Sequence, residues 1–189
     1  YKRQENKDRK LVFFDIDGTL ICGGSELMSE STKEAIRIAR ANGHICMINT
    51  GRTKRLVGEN LTGQVEFDGL LLGCGTEIEY HGKQLMHKTF SMEESKAILT
   101  AMKKYHVDAV LEGSREDYAP RGEEVFTDTF RHMAREIENR KYDRYANAPG
   151  NYDKLYAYAE TPAGMVGMKH DLSELSLIHI SEPTRRTPI

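Results

Sequence analysis

The sequence has 189 residues, with 27 Lys and Arg against 29 Asp and Glu for a formal charge of −2, and 39% of it is hydrophobic. So balanced a charge leaves no global field to draw the chain onto DNA, RNA or an anionic membrane. The longest apolar runs, Leu11–Phe14 and Leu70–Leu72, are far too short to cross a bilayer, which leaves a globular domain with room for one sizeable insert.

The first ten residues are crowded with charge and read as a solvated end. Leu11–Phe14 then runs apolar without a break up to Asp15, the pattern of a strand buried on both faces. Gly18 and Gly23-Gly24 mark a loop. Ser31 and Glu34 have the spacing of a capping box and Gly43 stands at a helix stop, which predicts a helix over 32–42. Ile45–Asn49 is a second strand, broken by Thr50-Gly51-Arg52, with a helix over 53–61 and a third strand at Leu70–Leu72. This alternation is half of a doubly wound parallel sheet, a Rossmann-like α/β fold. Glu77–Tyr80 and Gln84–Phe90 flank His81-Gly82 and predict a hairpin.

From Ser91 the pattern changes. Ile98, Ala101, Met102 and Tyr105 mark an amphipathic helix, Val107–Leu111 a strand, Val125–Asn139 a charge-laced helix and Leu155–Ala159 another strand. This α+β block reads as an inserted cap. Arg131, Arg135, Arg140 and Arg144 alternate with Glu136, Glu138 and Asp143, a solvated face and not a nucleic-acid groove. Residues 175–189 resemble the translation of a sequencing adapter and are set aside from the fold. The expected parts are therefore 1–90 (core), 91–174 (cap) and 175–189 (extraneous tail). Cys22, Cys46 and Cys74 are odd in number and widely spaced, with neither a zinc-knuckle nor a disulfide pattern, and no signal peptide is visible. A reducing, cytoplasmic location is expected.

The chemistry concentrates in Phe13-Phe14-Asp15-Ile16-Asp17-Gly18-Thr19-Leu20. Two carboxylates at period-2 spacing leave a strand on the same side, at the carboxyl edge where open α/β sheets place their sites. Acids that close want a cation, and hard oxygens suit Mg2+. Gly18 permits a tight turn that brings amides toward an anion. A calcium loop, with Glu26 at its twelfth position, fails because Leu20 stands where that loop needs Gly. At the end of the second strand, Thr50, Gly51 and Arg52 offer a hydroxyl, a flexible amide and a helix start, an anion cradle. The P-loop, dinucleotide, nucleophile-elbow and zinc-protease motifs are absent from the sequence. His81 and His87, across the hairpin turn, read as surface residues and not as a metal pair.

Asp15–Thr19 together with Thr50-Gly51-Arg52 resembles the haloacid dehalogenase-like phosphohydrolases, and the cap-like block resembles their Cof-type, subclass IIB members. The resemblance covers roughly residues 10–171. It implies that Asp15 attacks phosphorus to form an aspartyl-phosphate and that Asp17 serves the leaving alcohol and then water as acid and base. It further implies that Gly18, Thr50, Gly51 and Arg52 hold the phosphate and that Mg2+ sits on Asp15 and Asp17. Two departures stand out: Cys74-Gly75-Thr76 replaces the family's Asn-Gly-Ala, and neither the third-motif Lys nor the fourth-motif acids stand before the tail. The chain therefore reads as the first half of a phosphatase with most of its cap.

The electrostatics fit that reading. A carboxylate approaching a phosphate dianion meets two unit repulsions, about 8 kcal/mol at ~4 Å and an effective dielectric of ~20, which a metal and amide donors offset. The expected partner is a small phosphorylated metabolite such as a sugar phosphate, with no nucleic acid or membrane and the oligomeric state left open. A phosphomutase and a non-catalytic phosphate-binding module are the alternatives.

Overall fold

Two β-sheets organise the chain, seen in a computed structural model that describes residues 9–23, 25–122, 125–139, 142–145 and 150–174. The adapter-like tail and Arg140 lie outside the described residues, as do the side chains of Arg135, Glu136 and Glu138. The first sheet holds β1 (Leu11–Phe14), β2 (Ile45–Asn49), β3 (Gly69–Leu72), β4 (Glu77–Tyr80) and β5 (Lys83–His87), in that order. β1, β2 and β3 are parallel, with Phe14 opposite Ile48 and Asn49 opposite Leu71. β4 and β5 complete the sheet as the predicted hairpin. Helices α1 (Glu30–Ala41) and α2 (Lys54–Thr62) form the crossovers. Ile16, Ile48 and Leu72 are fully buried and Ile36 of α1 nearly so. Each contributes about 1.5–3 kcal/mol relative to an exposed side chain.

Local expectations shift in three places. β1 is an edge strand of the described sheet, and Leu11 and Phe13 are about half exposed while Val12 and Phe14 are half-buried. It is thus covered on one face, not on both. The cap of α1 is Ser29, not Ser31, because the Ser29 hydroxyl reaches the Thr32 N–H at 3.1 Å. α2 is kinked at Gly58, whose φ of 64° interrupts the helix that the sequence pattern carries through.

The second sheet has the order β8-β7-β6-β9, built from β6 (Val107–Glu112), β7 (Asp117–Ala119), β8 (Asp143–Arg144) and β9 (Lys154–Ala159). Helix α3 (Met92–Tyr105) starts on a reciprocal Ser91–Glu94 capping box. With α5 (Pro162–Glu174) it packs Ile98, Met102, Met168 and Leu172 against Val107 and Leu111. Helix α4 (Asp128–Asn139) puts Phe130 against Val110, Ala119 and Tyr142 in a separate cluster. Sequence periodicity missed α5, whose Gly164 and Gly167 look like loop residues. They form a packing seam: a Cβ on Gly167 would stand 2.3 Å from the Tyr105 ring. No helix among the described residues is long and apolar enough to cross a membrane.

Buried carboxylates pin the two sheets. Asp68 takes the Arg40 guanidinium on both oxygens at 3.1–3.3 Å and the Cys46 N–H at 2.8 Å. Burial pushes its carboxyl up, but these donors outweigh burial and hold it below the usual range. Asp108, fully buried, accepts from the Phe126 and Thr127 N–H groups and the Thr127 hydroxyl at 2.7–3.1 Å.

Candidate active site

Parallel pairing of β1 with β2 decides the site. Asp15 follows β1 directly and Thr50 follows β2 directly, so both leave the sheet at its carboxyl edge. Between the two acids Ile16 is fully buried, and its carbonyl receives the Thr19, Leu20 and Ile21 N–H groups at 3.1–3.3 Å. That tight turn requires the left-handed φ of +82° at Gly18. The Gly18 N–H donates to the Ile21 carbonyl at 2.9 Å. Gly18 therefore shapes the loop, and its own amide is engaged within it.

Asp15 is exposed, and the Asp17 side chain retains 36% exposure. Arg52 grips Asp17 with two bonds, Nε to Oδ2 at 3.1 Å and Nη2 to Oδ1 at 2.7 Å. The Asp17 hydrogen bond raises the Arg52 guanidinium's proton affinity, and the nearby charges of Glu26 and Asp15 add to it. Sequence reasoning met Glu26 while testing a calcium loop and did not assign it to this edge.

Thr50 is buried, and its Oγ1 accepts the Arg52 N–H at 3.2 Å, which leaves its hydroxyl hydrogen to donate elsewhere. The loop is braced by Thr50 N–H to Leu71 O (3.0 Å), Cys74 N–H to Thr50 O (3.2 Å) and Gly73 N–H to Arg52 O (2.8 Å). Gly51 is exposed, and a Cβ there would meet the Cys74 sulfur at 3.4 Å. The Cys74-Gly75-Thr76 departure therefore lies against the anion cradle, with Cys74 at φ 61°. The helix expected over 53–61 follows Thr-Gly-Arg as α2, with Thr53 at its N-cap. Its buried hydroxyl finds no hydrogen-bond partner.

Arg55, in the first turn of α2, crosses to the second sheet and pairs with buried Asp117, lying 5.8 Å over the Tyr142 ring. Burial pushes the Asp117 carboxyl up, against the pull of Arg55 and the Gly113 N–H. Arg55, Arg115, Glu116, Asp117, Tyr142 and Asp143 line a cleft of about 330 Å³. No sequence motif marked it.

Lys154, in β9, pairs with Glu112 at 2.7 Å, a partner within its own sheet. The oxygen donors of Asp15 and Asp17 suit a hard divalent cation. Asp15 is exposed, while each Asp17 oxygen already accepts one N–H of Arg52 and the side chain stays partly exposed.

A family model described as haloacid dehalogenase-like hydrolase matches residues 12–178. Among solved structures, BT1666 from Bacteroides thetaiotaomicron, a phosphatase of the haloalkanoate (HAD) enzyme superfamily, aligns with a TM-score of 0.70 and 18% identity, over 90% of this chain and 63% of that one. The HAD subclass IIB sugar phosphatase BT4131 aligns with a TM-score of 0.62 and 19% identity, over 89% and 64%. TM0651 from Thermotoga maritima gives 0.59 and 19%, over 88% and 62%. The chain thus spans less than two thirds of the length of these three relatives. At such identities they establish the α/β Rossmann-like fold. No curated protein matches the sequence.

Proposed function

The chain belongs to the haloacid dehalogenase-like hydrolases, and on that premise we propose that it carries the nucleophile half of a subclass IIB phosphatase site for small phosphorylated metabolites, sugar phosphates foremost. The observation that carries this reading is the placement of Asp15 and Thr50 at one edge of adjacent parallel strands, with Asp17 one turn away. A carboxylate nucleophile and an anion cradle then meet the same ligand.

In this mechanism an Asp15 oxygen attacks phosphorus, the bond to the leaving alcohol breaks, and Asp17 gives that alcohol its proton. Asp17 then takes a proton from the water that attacks phosphorus and frees Asp15. The Thr50 hydroxyl and the Gly51 amide hold phosphoryl oxygens through both steps. Arg52 must release at least one Asp17 oxygen before that oxygen can carry a proton, and the incoming phosphate offers the guanidinium a replacement partner. Mg2+ on Asp15 and Asp17 would supply positive charge against the phosphate. This reading assigns none of the residues described here to the lysine and acids that the resemblance also calls for. The site is cytoplasmic in this reading.

The test is phosphate release from an aryl phosphate and a panel of sugar phosphates with Mg2+, for the wild type and Asp15→Asn. Slow release that depends on Asp15 and stops with chelator is expected, because the chain carries only the nucleophile half of the site. A phosphoryl group returned to sugar instead of water would make the protein a mutase. Release that Asp15→Asn leaves unchanged overturns the proposal, as does failure of both turnover and Mg2+-dependent beryllofluoride binding.

A further inference from the structure

We propose that Glu77, His87 and Asp153 form a second metal site, separate from the Asp15 edge, for a divalent first-row transition ion such as Zn2+ or Mn2+. One donor atom from each lies within 4.8 Å of the other two. Glu77 opens β4 and His87 closes β5, and the pair stand directly opposite in the hairpin register. Asp153 arrives from the second sheet, just before β9, fixed by its N–H to the Glu112 carbonyl at 2.8 Å. One imidazole nitrogen with two carboxylates is a borderline donor set, which favours transition ions over Mg2+ or Ca2+.

The hydrogen count leaves the cluster short of donors. The Ser114 hydroxyl oxygen lies 2.8 Å from Glu77 Oε2, 2.6 Å from Asp153 Oδ2 and 3.2 Å from His87 Nε2, which itself is 2.9 Å from Asp153 Oδ1. Ser114 brings one hydrogen and His87 Nε2 at most one. The hydroxyl hydrogen serves one of the two carboxylates, and the other faces an oxygen across hydrogen-bond distance with no hydrogen to share. The remaining donor is the Gln84 amide on Glu77 Oε1 at 3.0 Å.

Other buried carboxylates among the described residues are built differently. Asp68 and Asp108 are met by guanidinium, backbone N–H or hydroxyl donors, and Asp117 by Arg55 and the Gly113 N–H. Glu77 and Asp153 are as buried as these, at 1% and 4% exposure, yet short of donors. A divalent ion between them replaces the missing hydrogens with charge and ties the hairpin to the second sheet. The His87 side chain, 25% exposed, provides the entry.

The test is a Co2+ titration of the tag-free full chain, following visible d–d absorption, together with Zn2+-dependent thermal unfolding. One saturable Co2+ band and a Zn2+-raised Tm are expected. His87→Gln should weaken binding by more than the roughly 10- to 100-fold that outer-shell changes cost. Asp153→Asn, an isosteric second variant, should fold without metal and lose the band. Asp15→Asn should keep it, so this site stands or falls apart from the phosphatase reading. No band and no rise in Tm overturns the proposal, as does a band that His87→Gln and Asp153→Asn leave intact.

Discussion

The carboxylates at the strand edge and those under the hairpin meet their surroundings in opposite ways. Asp15 and Asp17 stand two residues apart in one loop, one exposed and one held by a partly exposed arginine. Glu77 opens β4 of the first sheet and Asp153 precedes β9 of the second; both are sealed from solvent and meet through a single serine and a histidine. Water solvates the first pair, so its repulsion costs little until a ligand arrives. The second pair has no such reservoir, and what balances it must be built in or bound. An open carboxylate pair is suited to chemistry, while a closed one is suited to holding two parts of a chain together.

The largest expected effect lies on the open side. Asp17→Asn should lower phosphate release by roughly 10²- to 10⁴-fold, the scale of acid–base catalysis. Its unfolding free energy should fall by less than about 1 kcal/mol, because the Arg52 pair is partly exposed. A large loss of stability would erase the contrast between the two pairs.

Asp68→Asn tests the donor-rich case and should cost about 1–3 kcal/mol in urea unfolding. The folded-state carboxyl of Asp68 lies below its unfolded value, so its stabilisation is complete above about pH 3.9 and is lost as pH falls through the lower folded value. The wild type should therefore lose stability on that acid limb, and the variant should lose less. Parallel acid limbs would mean that Asp68 contributes no charge-dependent stability.

Gly18→Ala should destabilise by about 1–2 kcal/mol through its left-handed φ alone, since a Cβ there meets nothing within 4 Å. Retained stability with unchanged phosphate release would show that the loop has another conformation.

The smallest effect carries the opposite sign. Asp153→Asn gives its cluster the hydrogens it lacks, so the metal-free protein should gain about 0.5–1.5 kcal/mol, one hydrogen bond's worth. A loss as large as that of Asp68→Asn would place Asp153 among the donor-matched carboxylates.

The proposed site at the strand edge could be read from the sequence because its residues are contiguous. Asp15, Asp17 and Gly18 occupy one turn and Thr50, Gly51 and Arg52 another, and each turn follows an apolar run that reads as a strand. Local order was enough to place both turns at one edge once the strands were taken as parallel. The hidden cluster left no such trace. His87 read as a surface residue because a lone histidine near a hairpin carries no period and no motif. Its Asp153 partner became visible only when the second sheet folded against the first. The Arg55–Asp117 pair and the glycine seam of α5 were hidden for the same reason.

By itself, then, the sequence determined the alternation of strands and helices, the parallel half-sheet, the change of pattern at Ser91 and the residues of the Asp15–Thr50 edge. These follow from periodicity, turn chemistry and neighbouring residues, all of which act over a few positions. Tertiary structure alone decided that Arg52 would rest on Asp17, that the Gly18 amide would be engaged within its own loop, and that β1 would keep one face open. It also decided that two distant acids would share one serine. Such pairings depend on which surfaces meet when separate elements pack, and burial then makes each unmatched donor or acceptor count.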